Sequence, residues 1–268
     1  MPSTQLEAVT LHYRTAGAGP GLVCLHGLGM SSALWVNQVP VFSPRYRLVL
    51  PDLRGFGLSG RPREPGAYAM QALAGDVIQL IRALGSAPVH LLGTSMGGFV
   101  AQEIALAAPE LCRSLVLCHT GCRMSIPEDV LASRVRALRD EPMDAYGRLV
   151  AAQALAPDPP EALHTWLVDL VARNDREAYT RVLVEGLSQF DASARVSGIR
   201  LPTRVIVGEL DRVIPPEEGR ELARRIPGAD LVTIPGTGHL SYAERPELFN
   251  QAVLQFLSAC DGTSPPGA

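Results

Sequence analysis

The residues best placed to do chemistry surround Ser95, in Gly93-Thr94-Ser95-Met96-Gly97. An apolar run, 89–92, precedes this stretch and another, 99–107, follows it, so the serine falls on a sharp turn from strand to helix. Glycines on both sides allow the strained backbone that lifts such a hydroxyl clear of a sheet. A serine is a weak nucleophile until a base takes its proton. Of six histidines, His239 is the best candidate, because Pro235-Gly236-Thr237-Gly238-His239 follows an apolar strand and ends in a flexible loop. The base in turn needs an acid to fix its tautomer. Asp211, in Gly208-Glu209-Leu210-Asp211-Arg212, stands past another strand, with Glu209 as its local rival.

Acyl transfer also requires N–H donors for a developing oxyanion, each worth roughly 2.7–4 kcal/mol of barrier. Met96, at a helix N-terminus, supplies one backbone donor, and Leu28, in the loop His26-Gly27-Leu28-Gly29, is the candidate for the second. His26 itself reads as a structural residue holding that loop. His12, His90 and His164 fall in a hairpin, a strand and a helix, and read as structural or surface residues. His119, just past a strand ending at Cys118, is a candidate to line the pocket. Arg123, Arg134 and Arg136 could meet a substrate carboxylate, or simply form a solvated helix face. Trp166 and Tyr179 could line an acyl pocket, although Leu163, Trp166, Leu167 and Leu170 are equally spaced for helix packing.

The elements that must position these groups alternate along the chain. A hairpin over 6–15, turning at 16–21, leads into strands at 22–26, 47–51, 89–92, 114–118, 204–208 and 230–234. Helical patterns occupy 32–39, 70–84, 96–108, 217–226 and 246–259. Apolar strands separated by helices predict a parallel sheet covered on both faces. Residues 123–196 break the rhythm, with helix-like stretches at 127–139, 143–155, 160–173 and 176–190. The expected organisation is a core of residues 1–122 and 197–260, a helical cap of 123–196, and a flexible tail of 261–268.

Composition narrows the possibilities. The 268 residues, 47% of them hydrophobic, suit one sizeable domain with an insertion. A net charge of −3 gives no reason to expect nucleic acid or an anionic membrane as partner, which leaves a small molecule. All 24 basic residues are arginine, which excludes lysine Schiff-base chemistry. Five cysteines suit reduced core thiols, and the spacing of Cys118 and Cys122 lacks the second pair a metal site needs. With no leader pattern and no apolar run near ~18 residues, the expectation is a cytoplasmic protein, monomer or homodimer, with no metal and no cofactor.

Taken together, the motifs carry a resemblance that spans nearly the whole chain. The His26-Gly27 loop, 51–59, the Ser95 turn, 208–211 and Gly238-His239 resemble, in order, the α/β-hydrolase fold superfamily. The resemblance implies an eight-stranded, mostly parallel sheet flanked by helices, a helical lid after the sixth strand, and a triad of Ser95, Asp211 and His239. Residues 52–59 resemble a family turn that shapes the core. Within the superfamily the chain looks most like 3-oxoadipate enol-lactonases, small bacterial carboxylesterases and cofactor-free haloperoxidases. Serine at position 95, where haloalkane dehalogenases and epoxide hydrolases carry aspartate, argues against those branches. Leu28 departs from the glycine- and proline-rich loop of C–C hydrolases. The expected activity is hydrolysis of a small ester or lactone through an acyl-enzyme on Ser95, with His119, Arg123 and Trp166 as candidate substrate contacts. C–C hydrolysis, perhydrolysis, a lyase or cyclase step, and a non-catalytic receptor are the alternatives.

Overall fold

A computed structural model of the chain describes residues 2–262. Eight strands, β1 (Ser3–Gln5), β2 (Thr10–Ala16), β3 (Gly21–Leu25), β4 (Arg47–Pro51), β5 (Val89–Thr94), β6 (Cys112–Cys118), β7 (Thr203–Gly208) and β8 (Asp230–Ile234), form one sheet. Their order is β1-β2-β4-β3-β5-β6-β7-β8, antiparallel at the first two joints and parallel thereafter. β3 and β5 are buried along their whole length, as strands covered on both faces must be.

Among the described residues ten α-helices accompany the sheet: α1 (Val39–Phe42), α2 (Met70–Leu84), α3 (Met96–Ala107), α4 (Glu128–Asp140), α5 (Met143–Ala154), α6 (Glu161–Ala172), α7 (Arg176–Arg181), α8 (Pro216–Arg225), α9 (Ser241–Glu244) and α10 (Pro246–Cys260). Helices α2 and α3 pack on each other, α3 also packs on β5 and α8 on β7, while α4 to α7 all fall between β6 and β7. The register of the parallel strands brings their carboxyl ends together. Leu25 pairs with Gly93, Thr94 with Cys118, Cys118 with Ile206, and Gly208 with Ile234. The loops leaving β3, β5, β6, β7 and β8 therefore open side by side, where open α/β sheets bind their ligands.

Three local expectations differ. The N-terminal reversal lies between β1 and β2, and residues 16–21 make no hairpin, because β4 separates β2 from β3. The uniformly apolar β3 takes an inner place between two parallel neighbours, while β2, with exposed residues at both ends, suits the antiparallel margin. The helix expected over 32–39 splits into a 3-10 turn, Ser32–Trp35, and α1, with Pro40 at the start of the second. The helix expected over 176–190 loosens after α7 into a π-helical turn, Val182–Gly186, where Gly186 lies against the backbone of Tyr68.

At the other end Asp261, expected in the flexible tail, is held by Tyr46 Oη at 3.1 Å and His90 Nε2 at 3.2 Å; residues 263–268 lie outside the described residues. Among the described residues no helix is long and apolar enough to cross a membrane.

Candidate active site

Ser95 stands between β5 and α3 with φ of +53°, a conformation costly for a residue with a side chain. Its N–H donates to the Cys118 carbonyl of β6 at 2.8 Å, so the turn is tied to the neighbouring strand. Close approach explains the glycines: a Cβ on Gly93 would strike the Gly97 carbonyl, and one on Gly97 would strike the Leu25 carbonyl of β3. Residues 91–94 and 96–100 are buried, and Ser95 alone in that run is partly exposed.

The loop after β3 passes directly over the serine. A Cβ built on Gly27 would lie 3.3 Å from Ser95 Cβ and 3.8 Å from its Oγ. His26, buried beneath, orients that loop. Its Nε2 accepts the Leu53 N–H at 2.9 Å, so its Nδ1 carries the proton and donates to the Gly27 carbonyl at 2.8 Å. Burial lowers the His26 pKa, against the opposing effects of the Gly27 carbonyl and Asp52, and favours this neutral ring. In a trans peptide C=O and N–H point in opposite directions, so fixing the Gly27 carbonyl turns the Leu28 N–H away from His26. Met96 opens α3, where a helix N–H has no carbonyl within its own helix.

Behind this loop the turn 51–59 is structural. Asp52 accepts the N–H groups of Ser32 at 2.7 Å and Leu58 at 2.9 Å and holds His12 Nδ1 at 2.8 Å.

The loops after β7 and β8 are pressed together, since a Cβ on Gly208 would strike the Gly238 carbonyl. Asp211 and Glu209 then diverge. Asp211 Oδ2 receives His239 Nδ1 at 2.7 Å, and its Oδ1 accepts the N–H groups of Val213 at 2.9 Å and Ile214 at 3.0 Å. Glu209 instead caps the turn at Gly236, accepting its N–H at 2.8 Å. Burial by itself would raise the Asp211 pKa. The facing His239 and the hydrogen bonds from His119 and His239 outweigh it and hold the carboxyl well below its usual range. A histidine held in this way keeps its proton on Nδ1 and leaves Nε2 free to accept another.

Ser95 and His239 share a cavity of about 470 Å³. Leu28 and Met30 line it from the core, and Val130, Leu149, Val150 and Leu183 line it from the helical segment. Tyr146 and Tyr179 meet edge to face on its wall, centroids 5.5 Å apart. Burial raises both phenols, most strongly that of Tyr179, so both stay protonated at neutral pH. Charged side chains on the lining are Asp129 and Arg134, and Arg134 makes no ion pair among the described residues.

Residues 20–246 match the alpha/beta hydrolase fold family. The chain belongs to that family. It is similar to the provisionally named carbamate hydrolase RutD of Agrobacterium fabrum, with 31% identity covering 94% of this chain and 98% of the relative. It is also similar to a pimeloyl-[acyl-carrier protein] methyl ester esterase of Aeromonas hydrophila, 31% identical over 90% of this chain and 96% of the relative. Among solved structures, the enol-lactonase of Burkholderia xenovorans LB400 superposes with a TM-score of 0.90 and 31% identity, covering 96% of this chain and all of that one. The protein is thus a hydrolase of this family.

Of the side chains expected to meet substrate in this hydrolase, Arg134 and Tyr179 line the cavity, whereas His119, Arg123 and Trp166 do not. His119 is fully buried behind Asp211, off the cavity wall, because its strand ends one residue earlier and its left-handed backbone, φ +50°, turns it inward. Arg123 pairs its backbone with Asp191 and lines a separate surface recess with Glu217 and Glu221. Trp166 lies on α6, which packs on α5, and does not reach the cavity. Tyr146 was not legible as a lining residue, since a single tyrosine in a helical pattern carries no signal of the face it presents.

Proposed function

We propose that this hydrolase cleaves a small carboxylic ester or lactone through an acyl-enzyme on Ser95. Ser95 Oγ attacks the carbonyl carbon while His239 Nε2 takes its proton, and Asp211 holds the imidazolium that results. The tetrahedral oxyanion is received by the N–H groups of Leu28 and Met96. His239 then returns the proton to the leaving oxygen as the C–O bond breaks. Water, activated by the same ring, attacks the acyl-enzyme, releasing the acid and restoring Ser95. Residues 123–196 act as a cap that shapes the acyl pocket.

One observation carries the reading: Asp211 grips His239 Nδ1 at 2.7 Å while His239 and Ser95 face one apolar cavity. The relatives' names span a carbamate, a methyl ester and an enol-lactone at near-equal identity, so the acyl group is left to the cap. The unpaired Arg134 favours a substrate with an anionic group remote from the scissile bond.

The test is a panel of short esters, lactones, carbamates and vinylogous diketones, with fluorophosphonate labelling of the serine. Ser95→Ala should lose labelling and cut kcat on the best substrate by on the order of 10⁴–10⁶-fold. Wild-type turnover in that variant, or activity confined to the diketones, overturns the proposal.

A further inference from the structure

We infer that His119 is a positioning residue for the proposed triad: a second imidazole, locked as its Nδ1–H tautomer by Ser241, donates to the same Asp211 oxygen that receives His239. The inference rests on the reading of Ser95, His239 and Asp211 as the working set. The distances carry it. His119 Nδ1 lies 3.3 Å from Asp211 Oδ2, and its Nε2 lies 2.8 Å from Ser241 Oγ and 3.4 Å from the Ser241 backbone N. The carboxylate can only accept, so the proton facing it belongs to Nδ1. The Ser241 N–H can only donate, so Nε2 is the bare nitrogen and the Ser241 hydroxyl also donates to it. Both ends of the ring name the same tautomer.

His119 is the only non-glycine among residues 111–122 with a positive φ, and its side chain is wholly enclosed. Its backbone N–H is anchored to the Ile206 carbonyl of β7 at 2.8 Å. The two rings on Asp211 meet edge to face with centroids 5.4 Å apart. Asp211 therefore carries four donors, two backbone groups on Oδ1 and two imidazoles on Oδ2. A donor that shares Oδ2 draws negative charge from the bond to His239. That makes the carboxylate a weaker partner for a protonated His239 than it would be without His119. The ring also blocks Oδ2 from rotating away.

The other titratable groups near the cluster are Tyr242, whose ring lies 6.2 Å from that of His119, the buried Cys118, and Glu244, which accepts the N–H groups of Ala156, Gly238 and Leu240. None of these is altered by the variants below, so a difference between variants reports His119.

The measurement is the rate of fluorophosphonate inactivation of Ser95 against pH, which reads the protonation of His239 without a known substrate. His119→Ala should move the acid limb upward by about one unit, a tenfold loss of rate on that limb. His119→Asn should restore the limb to within about 0.3 unit, because its amide N–H falls near the place of Nδ1 and asparagine tolerates positive φ. Ser241→Ala should move the limb the same way by less, since it weakens the donor without removing it. A folded His119→Ala with the wild-type limb overturns the inference. If that variant does not fold, an unmoved limb in Ser241→Ala does so.

Nitrogen chemical shifts of the wild-type rings give a readout independent of Ser95. His119 protonated at Nδ1 supports the inference, and protonation at Nε2 refutes it. Failure of the wild type to label at all would instead strike the proposed function, leaving the tautomer of His119 to be decided by the shifts.

Discussion

Replacing Asp211 by asparagine should leave the fold intact and nearly abolish catalysis, and the hydrogen-bond geometry says why. Val213 and Ile214 present backbone N–H groups to Oδ1 at 2.9 and 3.0 Å, and a backbone amide has no alternative tautomer. The single carbonyl oxygen of asparagine must therefore face them, which puts its NH₂ group toward His239 and His119. Both rings then have to offer a bare Nδ1 and carry their proton on Nε2. For His119 the Ser241 hydroxyl can rotate to accept the new Nε2–H, while the Ser241 backbone N–H, 3.4 Å away, loses its acceptor. For His239 it places a proton on the nitrogen that should receive one from Ser95. The expected loss in kcat is on the order of 10⁴-fold, or about 5.5 kcal/mol at 1.36 kcal/mol per decade. Because the two backbone contacts to residue 211 survive unchanged and the two imidazole contacts survive inverted, the melting temperature should shift little. The assay is ester turnover beside fluorophosphonate labelling and thermal unfolding. A variant that keeps kcat within tenfold of wild type, or that retains His239 protonated at Nδ1 by nitrogen shifts, would refute the argument.

Two further outcomes test the surroundings. Gly27→Val adds a branched carbon where even a Cβ would lie 3.3 Å from Ser95 Cβ, so the loop must move off the serine and carry the Leu28 N–H with it. Loss of one oxyanion donor predicts a drop in kcat of roughly 10²–10³-fold with a small change in KM, and unchanged kinetics would remove Leu28 from the proposed hole. Asp76→Ala strands the buried Arg54, which now donates from Nε at 2.6 Å and from a terminal nitrogen at 2.5 Å. Denaturant unfolding should show a loss of about 3–5 kcal/mol, and a loss below about 1 kcal/mol would mean that the pair is solvated.

The sequence by itself determined the sheet, the turn at Ser95 and the chain order of serine, acid and histidine. These follow from local rules: apolar runs of strand length, glycines where backbones touch, and loops that open at strand ends. Which of Glu209 and Asp211 meets His239 was also largely legible locally, because one further turn carries Asp211 to the neighbouring loop. Other features depended on contacts between segments far apart in the chain. His119 reads in sequence as a pocket residue and in three dimensions lies behind the acid, because a single positive φ, not visible in residue types, turns the ring inward. Trp166 and Arg123 stand in helical and loop patterns that fit a cavity equally well, and only the packing of α6 on α5 and the pairing of residue 123 with Asp191 send them elsewhere. Hydrophobic periodicity says which residues of α4 to α7 are apolar. Which of them face the cavity is set by how those helices pack, a choice made by tertiary structure.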